Sequence, residues 1–132
     1  MKALTKSILA SVFLTVAAPA FSDSDMQAIQ IFECEFAGDA TADQVLALTS
    51  DWLKAARQTT GGKNISVGIR FPIAEGSEAD GDFRFVITAP SFAEWGAFTD
   101  AYEGSKVAAV DDRLYELADC GQSTIWEGMF IK

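Results

Sequence analysis

Histidine is absent from this chain of 132 residues, and basic residues are scarce, with 10 lysines and arginines against 19 aspartates and glutamates. Without histidine the chain has no Ser-His-Asp triad, no Cys-His pair, no HExxH zinc site and no histidine-ligated haem. The net charge of −9 argues against a nucleic-acid-binding surface, which needs a basic footprint. The length is that of one domain.

The first twenty residues have the pattern of a cleaved secretory signal. Lys2 and Lys6 form a positively charged start, and an apolar stretch covers residues 8–18. Residues 18–20 have the Ala-x-Ala pattern of a cleavage site, and cleavage after Ser22 is an alternative. The apolar stretch is too short to anchor the chain, because spanning a membrane takes about 20 residues.

The sequence therefore predicts a signal peptide over 1–20 and a single domain over 21–132. Removal of the signal takes the net charge from −9 to −11, because the signal contains two of the cations and no acid. No second long apolar run follows, so we expect no stable membrane anchor after cleavage. The predicted location is the periplasm or the extracellular space.

Two cysteines, Cys34 and Cys120, are present. An even count in an exported chain predicts a disulfide, and two buried free thiols are the alternative. No other metal-ligating cluster surrounds either cysteine. The sequence therefore predicts no metal site, and it indicates no cofactor.

Hydrophobic periodicity predicts the order β-α-β-β-α-β. Apolar and polar residues alternate over 28–36, 65–73, 83–89 and 124–131, which is typical of strands. Apolar residues recur at helical spacing from Thr41 onwards, and Gly61-Gly62 is predicted to end this first helix. They recur again from Ser91 to Asp119, which predicts a second helix interrupted at Gly104-Ser105. Thr41 with Gln44, and Ser91 with Glu94, have the spacing of capping boxes.

This order is that of the ferredoxin-like α+β fold, a split βαβ arrangement. The fold implies an antiparallel four-stranded sheet of order 4-1-3-2 with the helices on one face. Cys34 falls near the end of the first strand and Cys120 just before the fourth. Those two ends are neighbours in this topology, which supports the predicted disulfide.

The sheet face without helices is predicted to be partly apolar and partly charged. Alternation assigns to it Ile29, Ile31, Glu33, Glu35, Arg70, Arg84, Val86, Ile125, Glu127, Met129 and Ile131. Three interpretations stay open: a cross-strand salt-bridge ladder, a dimer interface and a small-molecule pocket. The candidate ligand or interface residues are Glu33, Glu35, Arg70, Arg84, Glu127 and Trp126. Trp52 and Trp95 fall on apolar helix stripes and are expected in the core, whereas the face of Trp126 depends on the strand register.

The element order and the tryptophan-bearing segment Phe92–Phe98 resemble the dimeric α+β barrel superfamily. The resemblance covers nearly all of the chain after the signal. It implies that two copies pair their open sheets across a two-fold axis. The superfamily includes cofactor-free monooxygenases, stress-responsive proteins and haem-handling enzymes. Export and a disulfide are unusual for this group, the missing histidine excludes its histidine-dependent members, and no catalytic residue set matches.

The sequence favours a non-enzymatic exported module that binds a ligand or partner and homodimerises through its open sheet. The alternative is a cofactor-independent monooxygenase-like or isomerase-like enzyme with a pocket between sheet and helices. In that alternative Glu33, Glu35 or Glu127 accepts a proton, and Arg70 or Arg84 holds an anionic substrate. A third hypothesis is an accessory protein whose acidic surface mainly provides solubility.

Overall fold

The computed structural model describes residues 26–73 and 82–129. The predicted signal peptide and both cleavage sites lie outside these residues. The elements are β1 (Met26–Phe36), α1 (Ala42–Ala56), β2 (Ser66–Arg70), β3 (Phe83–Ala89), α2 (Phe92–Asp100), α3 (Lys106–Leu114) and β4 (Ala118–Met129). Within the described ranges no helix combines the length and the apolar character needed to cross a membrane.

The four strands form one antiparallel sheet in the order β2-β3-β1-β4. Counted from the opposite edge, this is the predicted order 4-1-3-2, so the ferredoxin-like α+β fold is confirmed. The core lies between the sheet and the helices, where Trp52 of α1 is 1% exposed and Phe83 and Phe85 of β3 are buried. Trp95 of α2 is half-buried and packs against this core, as expected.

The second predicted helix is divided into α2 and α3 because the chain turns at Gly104, which has a φ of +70°. Ser105 then begins a new helix, and its side chain accepts a hydrogen bond from the Ala108 amide at 3.3 Å. The prediction that helical structure continues to Asp119 is wrong, since β4 starts at Ala118. Pairing of residues 118–120 with the end of β1 outweighs the local helical periodicity.

The two capping predictions have different outcomes. Thr41 and Gln44 form a complete capping box, in which the Gln44 side chain accepts from the Thr41 amide at 2.9 Å. Ser91 caps α2 by accepting from the Glu94 amide at 3.1 Å. The Glu94 side chain, however, accepts from the Asn64 side chain at 3.0 Å instead of returning to the cap. Glu94 therefore ties α2 to the turn before β2.

Gly61 and Gly62 do not end α1, which stops at Ala56 with Arg57 as its C-cap. Gly61 has a φ of +75°, a conformation that other residues rarely adopt. A Cβ there would collide with the backbone of α2 at Glu94 and Phe98. The glycine is thus required where the loop after α1 approaches α2.

The disulfide between Cys34 and Cys120 is confirmed, and it joins directly paired positions of β1 and β4. Free thiols are therefore the wrong alternative. The bond closes a loop with a sequence separation of 86. Chain-entropy arguments give about 4.6 kcal/mol for a loop of that length, as an upper estimate. Cys34 is fully buried, so the bond also forms part of the core.

Candidate functional site

The sheet face without helices is defined by the strand register. Ile29 of β1 lies opposite Trp126 of β4, and Ile31 lies opposite Val86 of β3. Paired residues of antiparallel strands point to the same side of the sheet. Trp126 therefore lies on this open face, where 57% of it is exposed.

Charged residues on the open face form one ion pair among the described residues. Arg84 contacts Glu33 at 3.5 Å, and the two side chains are 27% and 49% exposed. Arg70 lies opposite Arg84, and Glu35 lies opposite Asp119, so both of these pairs bring like charges together. The predicted salt-bridge ladder is thus reduced to one pair, and such surface pairs contribute about 0–1 kcal/mol.

Glu127 does not share this face, and neither do Ile125 and Met129, so their predicted positions are wrong. Glu127 lies opposite Ala28 and Ile125 opposite Gln30, on the side of the sheet that carries the helices. The cause is a β-bulge, because the β1–β4 register shifts between Phe32 and Cys34. The extra residue inverts the alternation along the rest of β4. Ile131 lies outside the described residues.

A cavity of about 260 Å³ lies on the helix side, between the sheet and the helices. Half of the lining residues that the structure describes are aromatic. These are Phe32, Trp52, Phe85, Phe98, Tyr102 and Tyr115. Ile87 and Leu114 add aliphatic surface, and Gln30, Thr99 and Asp111 add polar groups. None of the six candidate residues predicted from the sequence lines this cavity.

Asp111 on α3 is held by two hydrogen bonds. The Trp52 indole Nε1 donates to Oδ1 of Asp111 at 3.0 Å, and the Tyr102 hydroxyl donates to Oδ2 at 2.5 Å. Trp52 belongs to α1 and Tyr102 to the turn after α2. The carboxylate therefore joins all three helical segments, and its orientation in the cavity wall is fixed by its two donors.

Burial raises the pKa of Asp111 above its ordinary value, and the negative charge of Asp112 adds to this. The hydrogen bonds from Tyr102 and Trp52 act in the opposite direction without cancelling the effect of burial. Burial also raises the pKa of Tyr102, and its hydrogen bond to Asp111 raises it further. Burial and the charges of Asp111 and Asp119 raise the pKa of Tyr115. Both phenols therefore stay neutral at physiological pH, and the Tyr102 hydroxyl donates to Asp111.

Gln30 supplies a second polar point in the cavity wall. Its Oε1 accepts a hydrogen bond from the Trp95 indole at 3.2 Å, and its Nε2 donates to the Ser123 hydroxyl at 3.4 Å. On the helix side of β1, Gln30 lies between two apolar residues, Ala28 and Phe32. The amide is thus held in place by α2 and β4, and it lies at the sheet side of the cavity.

Sequence reasoning missed Gln30, Tyr102, Asp111 and Tyr115 as site residues. A signal for Asp111 exists, because it follows Val107 by four residues and precedes Leu114 by three. That spacing places a carboxylate on the apolar stripe of α3, where a charged side chain needs partners. Tyr102 carries no such signal, because the partner of its hydroxyl cannot be inferred from spacing.

Comparison with known proteins relates only to the fold. No protein-family model matches the chain, and no curated protein does. One similar solved structure is a dimeric protein of unknown function with a ferredoxin-like fold from Bacteroides fragilis NCTC 9343. The two sequences are 10% identical, and the TM-score is 0.43. The match covers 80% of this chain and 97% of that one. Another is a candidate chlorite dismutase, with 14% identity, a TM-score of 0.47, and coverage of 80% of this chain and 46% of that one. This chain thus spans less than half of the second protein.

Tyr102→Phe is expected to lower the free energy of unfolding by about 1–2 kcal/mol, because a partly buried carboxylate loses a donor. The phenyl ring keeps the edge-to-face contact with Phe98, whose centroid lies 6.0 Å away. Urea denaturation monitored by circular dichroism measures the change. Tyr115→Phe, at an exposed tyrosine of the same cavity, is the control and should change stability by no more than about 0.5 kcal/mol. Equal stability of Tyr102→Phe and the native chain would contradict the assigned role.

Proposed function

We propose that this protein is an exported small-molecule-binding domain whose ligand occupies the cavity between the sheet and the helices. The observation that carries the proposal is the cavity wall itself, where aromatic rings surround a carboxylate held by Trp52 and Tyr102. Binding sites combine an apolar lining with a few fixed polar groups, and this cavity has both. The expected ligand is small, mostly apolar, and able to donate a hydrogen bond to Asp111.

The geometry supports binding more than the enzymatic alternative. That alternative assigned proton transfer to Glu33, Glu35 or Glu127 and anion binding to Arg70 or Arg84. These five side chains lie outside the cavity lining. Arg84 is partly buried, and the other four are exposed to solvent. Each oxygen of Asp111 already accepts a hydrogen bond, which suits a fixed recognition group.

Export is part of the proposal. The disulfide between Cys34 and Cys120 supports it, because such bonds persist in oxidising compartments outside the cytosol. The signal-like pattern over 1–20 supports the same location. The ligand is accordingly proposed to be a molecule of the periplasm or the extracellular space.

We further propose that two copies pair through the open sheet face. Ile29 and Ile31 are partly exposed on that face. Trp126 pairs with Ile29 and has more than half of its surface exposed. Exposed tryptophans are favoured at protein interfaces. Dimerisation through this face leaves the cavity accessible, because the cavity lies on the opposite side of the sheet.

Benzyl alcohol, a neutral aromatic molecule, is expected to bind the mature chain in the cavity with about millimolar affinity, given its few atoms. In a nitrogen-15 NMR titration the indole signal of Trp52 should shift, because Trp52 lines the cavity. The indole signal of Trp126, on the opposite side of the sheet, should stay in place.

Thr99→Phe, at the exposed lining residue of α2, is expected to weaken this binding by narrowing the cavity. Asp100→Phe is the matched control, since Asp100 is the exposed neighbour outside the lining. Shifts confined to Trp126, or no shift at Trp52 up to saturation of the solvent with benzyl alcohol, would overturn the proposed function.

Trp126→Lys is expected to dissociate the proposed dimer, because paired sheets would bury two added charges. Sedimentation equilibrium of the mature chain measures the change in mass. Leu46→Lys, at an exposed leucine on α1, is the control and should leave the mass unchanged. A native chain that stays monomeric at its highest soluble concentration would refute the pairing.

A further inference from the structure

We propose that the ligand of this cavity is an organic cation, an amine carried on an aromatic or apolar body, with its ammonium group bound to the Asp111 carboxylate. The inference rests on the proposed function and gives that site a ligand class. The negative charge of Asp111 is not required by the hydrogen bonds that the protein itself makes to this side chain.

The two donors that reach Asp111 would be satisfied by a neutral side chain. The Trp52 indole needs one acceptor, and an amide oxygen supplies it. The Tyr102 hydroxyl either donates or accepts, so it would bond to an amide as well. A carboxylate at this position therefore adds a negative charge beyond what the fold needs, and a charge removed from water is costly unless it is paired.

No cation of the described residues pairs with that charge. Neither lysine nor arginine occurs among the lining residues that belong to 26–73 and 82–129. The ion pairs formed within residues 26–73 and 82–129 are Lys54 with Asp51 and Arg84 with Glu33, and neither involves Asp111. The charged neighbour that acts on Asp111 is Asp112, another acid. A cationic ligand would supply the missing partner, whereas an anionic ligand would be repelled.

The aromatic walls favour the same ligand. Phe32, Phe85, Trp52, Phe98 and Tyr102 form a continuous series of edge-to-face pairs with centroid distances between 5.4 and 6.2 Å. The faces of aromatic rings are electron-rich and attract cations, tryptophan most strongly. A cavity with such walls and one carboxylate binds both the apolar body and the charged end of an amine.

The charge of the whole chain acts in the same direction. The net charge of −9 raises the local concentration of cations around the protein and disfavours the approach of anions. This effect is general and does not select the cavity. Selection comes from Asp111, because it is the one carboxylate among the described residues that line the cavity.

Three probes of nearly equal size differ in charge: benzylamine is a cation, benzyl alcohol is neutral and benzoate is an anion. Calorimetric titration of the mature chain should show benzylamine binding roughly tenfold more tightly than benzyl alcohol, as a hydrogen bond between charged groups requires. Benzoate should bind most weakly. The Trp52 indole signal should shift with benzylamine, which shows that binding occurs in the cavity.

Asp111→Asn should remove the preference for benzylamine over benzyl alcohol while both still shift the Trp52 signal. Asp112→Asn is the matched control, since Asp112 is the exposed adjacent acid outside the lining. It should keep the preference. Circular dichroism checks that both variants fold, and the comparison of probes on the native chain does not depend on either variant.

Equal affinity of benzylamine and benzyl alcohol for the native chain, with the Trp52 signal shifted by both, would overturn the cation inference and leave the proposed function standing. Failure of every probe to shift Trp52 would overturn both proposals. Equal loss of the preference in Asp111→Asn and Asp112→Asn would assign the effect to general charge and overturn the inference as well.

Discussion

The hydrogen bonds that converge on Asp111 are the interaction on which both the core and the cavity depend. Trp52 fills the centre of the core, yet its indole N–H must find an acceptor there, because an unpaired buried donor is costly. Asp111 supplies that acceptor from α3 and also receives the Tyr102 hydroxyl. The same side chain that completes the packing of the helices thus brings a negative charge to the wall of an aromatic cavity.

The order of the elements and the disulfide could be predicted because both rest on local patterns. Alternation along β1 and β3, and the cap at Thr41, depend on neighbours in sequence and were located correctly. The disulfide between Cys34 and Cys120 could be inferred from the order of the elements, because that order makes the two strand ends neighbours. The early start of β4 was missed, since the pairing of Ala118 with Phe36 is a long-range contact that no helical spacing shows.

The candidate site was not predictable for two physical reasons. One bulge beside Cys34 inverts the faces of β4, so Glu127 joins the helix side and Trp126 the open face. A single inserted residue of this kind leaves no mark in the alternation pattern. The second reason is that Asp111 gains its role from donors on α1 and after α2, and such contacts arise only when the helices pack.

Titration of the Asp111 side-chain carboxyl, followed by carbon-13 NMR in the ligand-free chain, tests most directly whether this charge is held away from water. We expect a pKa above 3.8, because burial outweighs the hydrogen bonds from Tyr102 and Trp52. The folded chain then holds this proton more tightly than the unfolded chain. Protonated Asp111 therefore stabilises the folded state. This contribution is fully present at a pH below the pKa of Asp111 in the unfolded chain, and it is lost as the pH rises through its pKa in the folded chain. A midpoint at or below 3.8 would contradict the claim that the Asp111 charge is held away from water in the cavity wall.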